Sequence, residues 1–138
     1  MSRSTLAIRF SYAIHTNPSP RRSNDHMPSE PLQIELSTIA EPPGRILRLH
    51  GPLVLGNLRP FRAELRKDDT LLTILDISGV PFMDSTGIGE IVNFYSRCQA
   101  NSARLILVGP SPRVSALLHM TRIDTLLTIV PTLEAALQ

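Results

Sequence analysis

Tryptophan is absent from this chain, aromatic residues supply only 4% of it, and cysteine occurs once, as Cys98. A single thiol cannot close an internal disulfide, and no CxxC or Cys/His spacing offers a metal site. A disulfide scaffold and a zinc module are therefore excluded, and a reducing, cytoplasmic setting fits. Long uncharged apolar runs are also missing. The nearest approach, TLAIRFSYAI, is interrupted by Arg9 and is not followed by a small-residue cleavage pattern, which argues against a signal peptide and against membrane insertion. Nor is there an excess of charge of one sign: residues 32–138 carry ten basic and ten acidic side chains. Nucleic-acid binding, which needs clustered Lys and Arg to neutralise phosphates, is excluded on that ground.

Proline is plentiful, with 12 among 138 residues. Pro18, Pro20, Pro28 and Pro31 crowd into a front segment, PSPRRSNDHMPSEP, that has no apolar periodicity. Residues 1–31 are therefore expected to form a disordered leader, and residues 32–138 a single folded domain. The Arg- and Ser-rich, acid-poor look of the leader is shared with organelle transit peptides, and Met27 offers an alternative start.

Within the domain, apolar periodicity alternates between the two regular elements. LQIELS (32–37) reads as an edge strand and RILRLHG (45–51) as a second strand, with Leu47 and Leu49 on one face and Arg48 and His50 on the other. From Asn57, a plausible N-cap, Leu58, Phe61 and Leu65 step by three and four residues as an amphipathic helix. LLTILDI (71–77) is short and nearly continuously apolar, which suits a central strand buried on both faces.

Ile88, Ile91, Val92, Tyr95 and Cys98 mark a second helix, and RLILVGP (104–110) another buried strand. Val114, Leu117, Leu118 and Ile123 form a third helical stripe. LLTIV (126–130) and TLEAALQ (132–138) then supply a last strand and a terminal helix. The expected architecture is α/β: a mixed, mostly parallel sheet of about five strands with helices packed against it, the first strand being the antiparallel exception.

PFMDSTGIGE (81–90) falls between the central strand and the second helix, on the carboxyl rim where open α/β sheets place their functional crevices. One reading of it is structural, with Asp84 or Ser85 capping the helix. Gly87 and Gly89 in the first turns each weaken a helix by about 1 kcal/mol relative to Ala, a cost that close approach of another surface would explain. Catalysis is poorly supported. A hydrolase nucleophile needs GxSxG with a His and an acid, whereas only His50 and His119 lie within the domain. Neither GxxxxGK[ST] nor GxGxxG follows a strand, and no phosphate-binding lysine is present there. A serine at a helix N-terminus is, however, a good acceptor for a phosphate added by another protein.

LDISGVPFMDSTGIG (75–89) closely resembles the signature of bacterial STAS-domain anti-sigma factor antagonists, and the likeness extends over nearly all of residues 32–138, including SPRVSALLHMTRID. The resemblance implies a protein that is not an enzyme and needs no cofactor. Its unphosphorylated form would bind an anti-sigma factor that is also a serine kinase, releasing a sigma factor. The kinase would phosphorylate Ser85, with Thr86 as the second choice, and a serine phosphatase would reset the switch. Asp76, Asp84 and Gly87 are implied as the partner-binding rim. One position departs from the pattern: the family often carries an acidic residue where this chain has Val54, within GPLVLGN, which implies an altered choice of partner. A STAS module acting as a scaffold or transport-complex subunit, with Ser85 only a cap, is the competing expectation.

Overall fold

Leu72–Gly79 (β4) shows why a parallel sheet forms here: Leu72 to Ile77 are all buried, so the strand needs cover on both faces. The computed structural model describes residues 31–67 and 70–138 and, for its backbone, the strand Ile8–His15. Six strands lie side by side in chain order: β1 (Ile8–His15), β2 (Gln33–Ile39), β3 (Gly44–His50), β4, β5 (Arg104–Val108) and β6 (Thr128–Val130). β1 and β3 run antiparallel to β2, whereas β4, β5 and β6 continue parallel to β3.

One expectation is corrected at the front of the chain. Residues 1–31, read as disordered, contribute β1, which pairs with β2 and makes β2 an interior strand rather than an edge. IRFSYAIH alternates apolar and polar residues along much of its length, the period of a strand, and the prolines that suggested disorder begin only beyond it. The remainder of the leader up to residue 30, including Met27, lies outside the described residues.

Helices α1 (Leu58–Arg66), α2 (Ser85–Ala100) and α3 (Pro112–Met120) connect the parallel strands. Because those strands follow one another in order, crossovers of one hand carry all three helices to the same face of the sheet. The main core records this. Leu47, Leu49, Leu75, Ile77 and Leu107 meet Leu58, Phe61 and Leu65 of α1, Ile88, Ile91 and Phe94 of α2, and Val114 and Leu118 of α3. The opposite face carries Ile46, Ile74, Ile106 and Val108, which are covered by Leu133, Ala136 and Leu137 of the C-terminal segment containing α4 (Leu133–Ala136).

Two local expectations differ. In α2, Phe94 is the buried aromatic and Tyr95 stays half-buried. Both lie on the flank of the apolar stripe, and the hydroxyl of Tyr95 favours the position that keeps contact with water. Asn57 stands at the N-cap of α1, but its side chain makes no cap bond; its Nδ2 donates instead to the Pro52 carbonyl at 3.0 Å.

A buried cation anchors the end of the sheet where the parallel strands begin. Arg45, only 2% exposed, donates from Nε to Thr73 Oγ1 at 3.0 Å and from its terminal nitrogens to the Glu64 and Leu65 carbonyls at 2.9 and 3.4 Å. These are carbonyls of the last turn of α1, where the helix dipole favours positive charge. Arg97 donates to the same Leu65 carbonyl at 3.0 Å, and both guanidiniums lie over the Phe94 ring. Nearby, burial pushes the Cys98 thiol up, against the opposing pull of Arg45 and Arg97, so this side chain remains a protonated packing group.

Candidate functional site

The carboxyl rim is built by two chain segments that hold each other. Leu53 donates its N–H to the Phe82 carbonyl, and Asp84 donates its N–H to the Leu53 carbonyl, each at 3.2 Å, with Leu53 and Met83 bridged as in a parallel sheet. Residues 51–57 and 80–87 thereby become one platform at the start of α2.

Asp84 organises that platform. It sits in extended backbone as the N-cap, and its Oδ1 accepts from the N–H groups of Thr86 and Gly87 at 3.0 and 3.1 Å and from the Thr86 hydroxyl. Its other oxygen, Oδ2, accepts from Leu55 N at 3.2 Å, so one carboxylate spans both segments. Burial works to raise its pKa. The hydrogen bonds from the Thr86 hydroxyl and from the Gly87, Leu55 and Thr86 N–H groups outweigh that effect and hold the carboxyl below its ordinary value.

Ser85 and Thr86 are separated by this geometry. The Thr86 hydroxyl is committed to Asp84, and the residue is partly buried. Ser85 is exposed, and among the described residues nothing holds its hydroxyl. The helix N-terminus was expected to welcome a phosphate through its open N–H groups, but Asp84 already occupies two of them. A phosphate on Ser85 would therefore project outward, beside a carboxylate, with little of its charge compensated by the helix.

The two glycines also part company. A Cβ on Gly87 would lie 2.4 Å from the Leu53 carbonyl oxygen, so Gly87 permits the close contact between α2 and the 51–57 segment. A Cβ on Gly89 would meet nothing within 4 Å. Packing within the described residues explains Gly87 and leaves Gly89 unexplained.

Asp76 is not brought to this platform. It is buried on the sheet face opposite α1–α3, where it accepts from Ser78 N at 3.0 Å and Ser78 Oγ at 2.7 Å. Its second oxygen lies 3.4 Å from Arg48 Nε, and Arg48 in turn reaches Glu35 at 3.7 Å, making a charged row across β2, β3 and β4. Asp76 thus shapes the end of β4, while Asp84 and Ser85 make the rim itself. His50 and His119 are both exposed; His119 Nδ1 lies 2.9 Å from Asp124 Oδ2, and neither histidine contacts Ser85.

Sequence reasoning marked the 51–57 segment only for Val54 and missed that Asp84 ties it to the start of α2. Leu55, held by Asp84, is 70% exposed, and Phe82, with the Arg113 guanidinium 5.0 Å from its ring, is 37% exposed. The available signal was an apolar residue stranded in a Gly-flanked turn between two elements, GPLVLGN. Among the described residues, no helix is long and apolar enough to cross a membrane.

Comparison with known proteins places this arrangement in context. Three solved structures share the fold. A candidate anti-sigma factor antagonist from Thermotoga maritima is 25% identical over 67% of this chain and 84% of its own, with a TM-score of 0.60. The Bacillus anti-sigma factor antagonist SpoIIAA, in its unphosphorylated form, is 24% identical over 68% and 84%, with a TM-score of 0.59. A sulfate transporter family protein from Wolinella succinogenes is 21% identical over 66% and 79%, with a TM-score of 0.57. The STAS domain family model matches residues 34–136, a span running from β2 through α4 and including the whole Asp84–Ser85 platform. This chain belongs to the STAS domain family.

Proposed function

We propose that this chain is an anti-sigma factor antagonist switched by phosphorylation of Ser85. The unphosphorylated form binds an anti-sigma factor serine kinase and so frees a sigma factor; phosphorylation ends that binding, and a serine phosphatase restores it. The chain acts as a binding module and a substrate, in the cytoplasm of a bacterium. The observation that carries this reading is the pairing of an exposed, uncommitted Ser85 hydroxyl with Asp84, whose carboxylate fixes the platform around it. Likeness to SpoIIAA, whose structure is known in both phosphorylated and unphosphorylated forms, supports the same reading.

The physical basis of the switch is local. Phosphorylation adds close to two negative charges and three acceptor oxygens. With Asp84 adjacent and already ionised, that charge faces any docked surface rather than the helix, and it opposes a contact that had met a neutral hydroxyl. Gly89 fits an interface that comes close to α2, because its missing side chain leaves space that none of the described residues fills.

The test is incubation of the purified chain with the cognate kinase and ATP, read by intact mass. One added phosphate that disappears in Ser85→Ala supports the proposal, and continued single-site phosphorylation of that variant sinks it. A second reading, a scaffold or transport-complex subunit in which Ser85 serves only the helix start, draws on the likeness to the Wolinella succinogenes protein. It predicts no phosphorylation under the same conditions and recovery of transporter components in a pull-down.

A further inference from the structure

Beside the Ser85 platform lies an open groove of about 640 Å³. Its walls are Pro31, the exposed Leu55 with Gly56, and the first turn of α1, which contributes Arg59, Pro60 and Arg62. Among the described residues no carboxylate lines it. Arg59 is exposed, and Arg62 keeps 42% of its side chain open although its Nε and one terminal nitrogen contact Glu90 Oε2 at 2.8 and 2.7 Å. The exposed side of α1 continues basic toward its end, with Arg66 and with Lys67, which pairs with the buried Glu64. Gly56, in front of which a Cβ would meet nothing within 4 Å, leaves the mouth of the groove clear.

Two ties join this groove to the proposed switch. Asp84 Oδ2 holds Leu55 N, fixing one wall, and Glu90, in the second turn of α2, holds Arg62 on the other. The groove therefore belongs to the same rigid unit as Ser85.

We infer that the Leu55–Arg59–Arg62 groove is a docking site for an acidic segment of a partner protein, one apolar side chain packing on Leu55 while carboxylates meet Arg59 and Arg62. Charge complementarity selects the occupant: a wall that carries Arg59 and the half-open Arg62, and among the described residues no carboxylate, attracts acidic chain and repels basic chain. An exposed leucine between two prolines supplies the apolar anchor. The inference rests on the proposed function for its consequence: the partner surface that loses affinity on Ser85 phosphorylation is itself acidic, so the added phosphate repels it directly.

The test uses the full-length chain, isotopically labelled, titrated with a blocked Glu-Glu-Leu-Leu-Glu-Glu peptide and with its Lys-Lys-Leu-Leu-Lys-Lys counterpart. The acidic peptide is expected to shift amide signals of residues 55–62, with binding weakened by added salt, and the basic peptide to leave them unmoved. Arg59→Glu is expected to weaken acidic-peptide binding by about ten-fold or more, since it replaces an attraction with a repulsion. Leu55→Ala provides a second, uncharged reduction, and thermal melts confirm that both variants fold. The inference is overturned if both peptides shift the same amides, if neither moves residues 55–62, or if binding is indifferent to Arg59 and Leu55. It is equally overturned if the free chain shows residues 16–30 in contact with Leu55, or if self-association without peptide perturbs the same amides. The kinase assay is independent: Ser85 phosphorylation without peptide binding removes only the groove, whereas peptide binding without phosphorylation removes only the switch.

Discussion

Two ends of this molecule solve the same electrostatic problem in opposite ways. At the base, the cation Arg45 satisfies the carbonyls ending α1 and is sealed in at 2% exposure, roofed by Phe94. At the rim, the anion Asp84 satisfies the N–H groups beginning α2 and stays partly open, with the exposed Ser85 next to it. Both charges sit where the helix dipole favours them. The buried pole has no alternative state, because an unpaired guanidinium or orphaned carbonyls there would have no water to turn to. The open pole can accept new charge, since solvent or a partner is always within reach. The proposed switch sits at the end where the electrostatics are incomplete.

The comparison can be broken most forcefully at the base. Arg45→Met should destabilise the fold by about 3 kcal/mol in chemical denaturation, because Thr73 Oγ1 loses its buried donor, Phe94 loses one stacked guanidinium, and the Leu65 and Glu64 carbonyls are left, among the described residues, with Arg97 and Lys67 N alone; a loss below about 1 kcal/mol would mean the pole is not a structural anchor. Next, Gly87→Ala should cost about 2 kcal/mol through the clash with the Leu53 carbonyl, and would loosen Leu55 as well.

Asp84→Ala should cost about 1 kcal/mol at neutral pH, the ordinary worth of such a cap. That difference has a defined pH dependence. The folded pKa of Asp84 lies below its unfolded value, so its contribution is fully present above the unfolded pKa of about 3.9 and is lost as pH falls through the folded value. Melting curves of wild type and Asp84→Ala should therefore converge on acidification below that point, and a constant gap would contradict the assignment.

Gly89→Ala sharpens the comparison from the other side. It should stabilise the chain by about 0.5–1 kcal/mol, since the position is helical and open, while weakening partner binding in calorimetry. The smallest effect is expected at Ser85→Ala, which should change stability by less than about 0.5 kcal/mol, because its hydroxyl supports nothing internal. A larger loss would return Ser85 to a structural role.

Much of this was legible in the sequence where apolar period dominates. The continuous run of β4, the stripe of α1 and the Val114–Leu118 part of α3 could be read directly, because burial of a whole face leaves a repeating signature; Ile123, read with that stripe, lies beyond α3 in a 3-10 turn that follows Arg122 in left-handed backbone. Strand β1 was hidden by the proline- and arginine-rich residues that follow it, which outweighed its alternation. The choice of Phe94 over Tyr95 rested on which flank of α2 faces the Arg45–Arg97 pair, a tertiary fact. At the site, LDISGVPFMDSTGIG located Asp84 and Ser85, since a cap must stand next to its helix. The partnership of Asp84 with Leu55 joins residues 29 positions apart and has no local trace. The family resemblance implied Asp76 as part of the rim; strand alternation turns its side chain to the sheet face opposite α1–α3, where it holds Ser78 and Arg48 at the end of β4.

The chain-order arrangement of the sheet also bears on how the molecule comes into being. Every strand finds its partner in the next strand along the chain, so each ladder closes over a single hairpin or helical crossover and none spans the whole sequence. Pairing of chain neighbours incurs less loop-closure entropy than pairings across the whole sequence would. During synthesis the sheet can be extended from its N-terminal side as each unit emerges, and the second face becomes covered only when the last residues, Leu133 to Leu137, arrive to seal it.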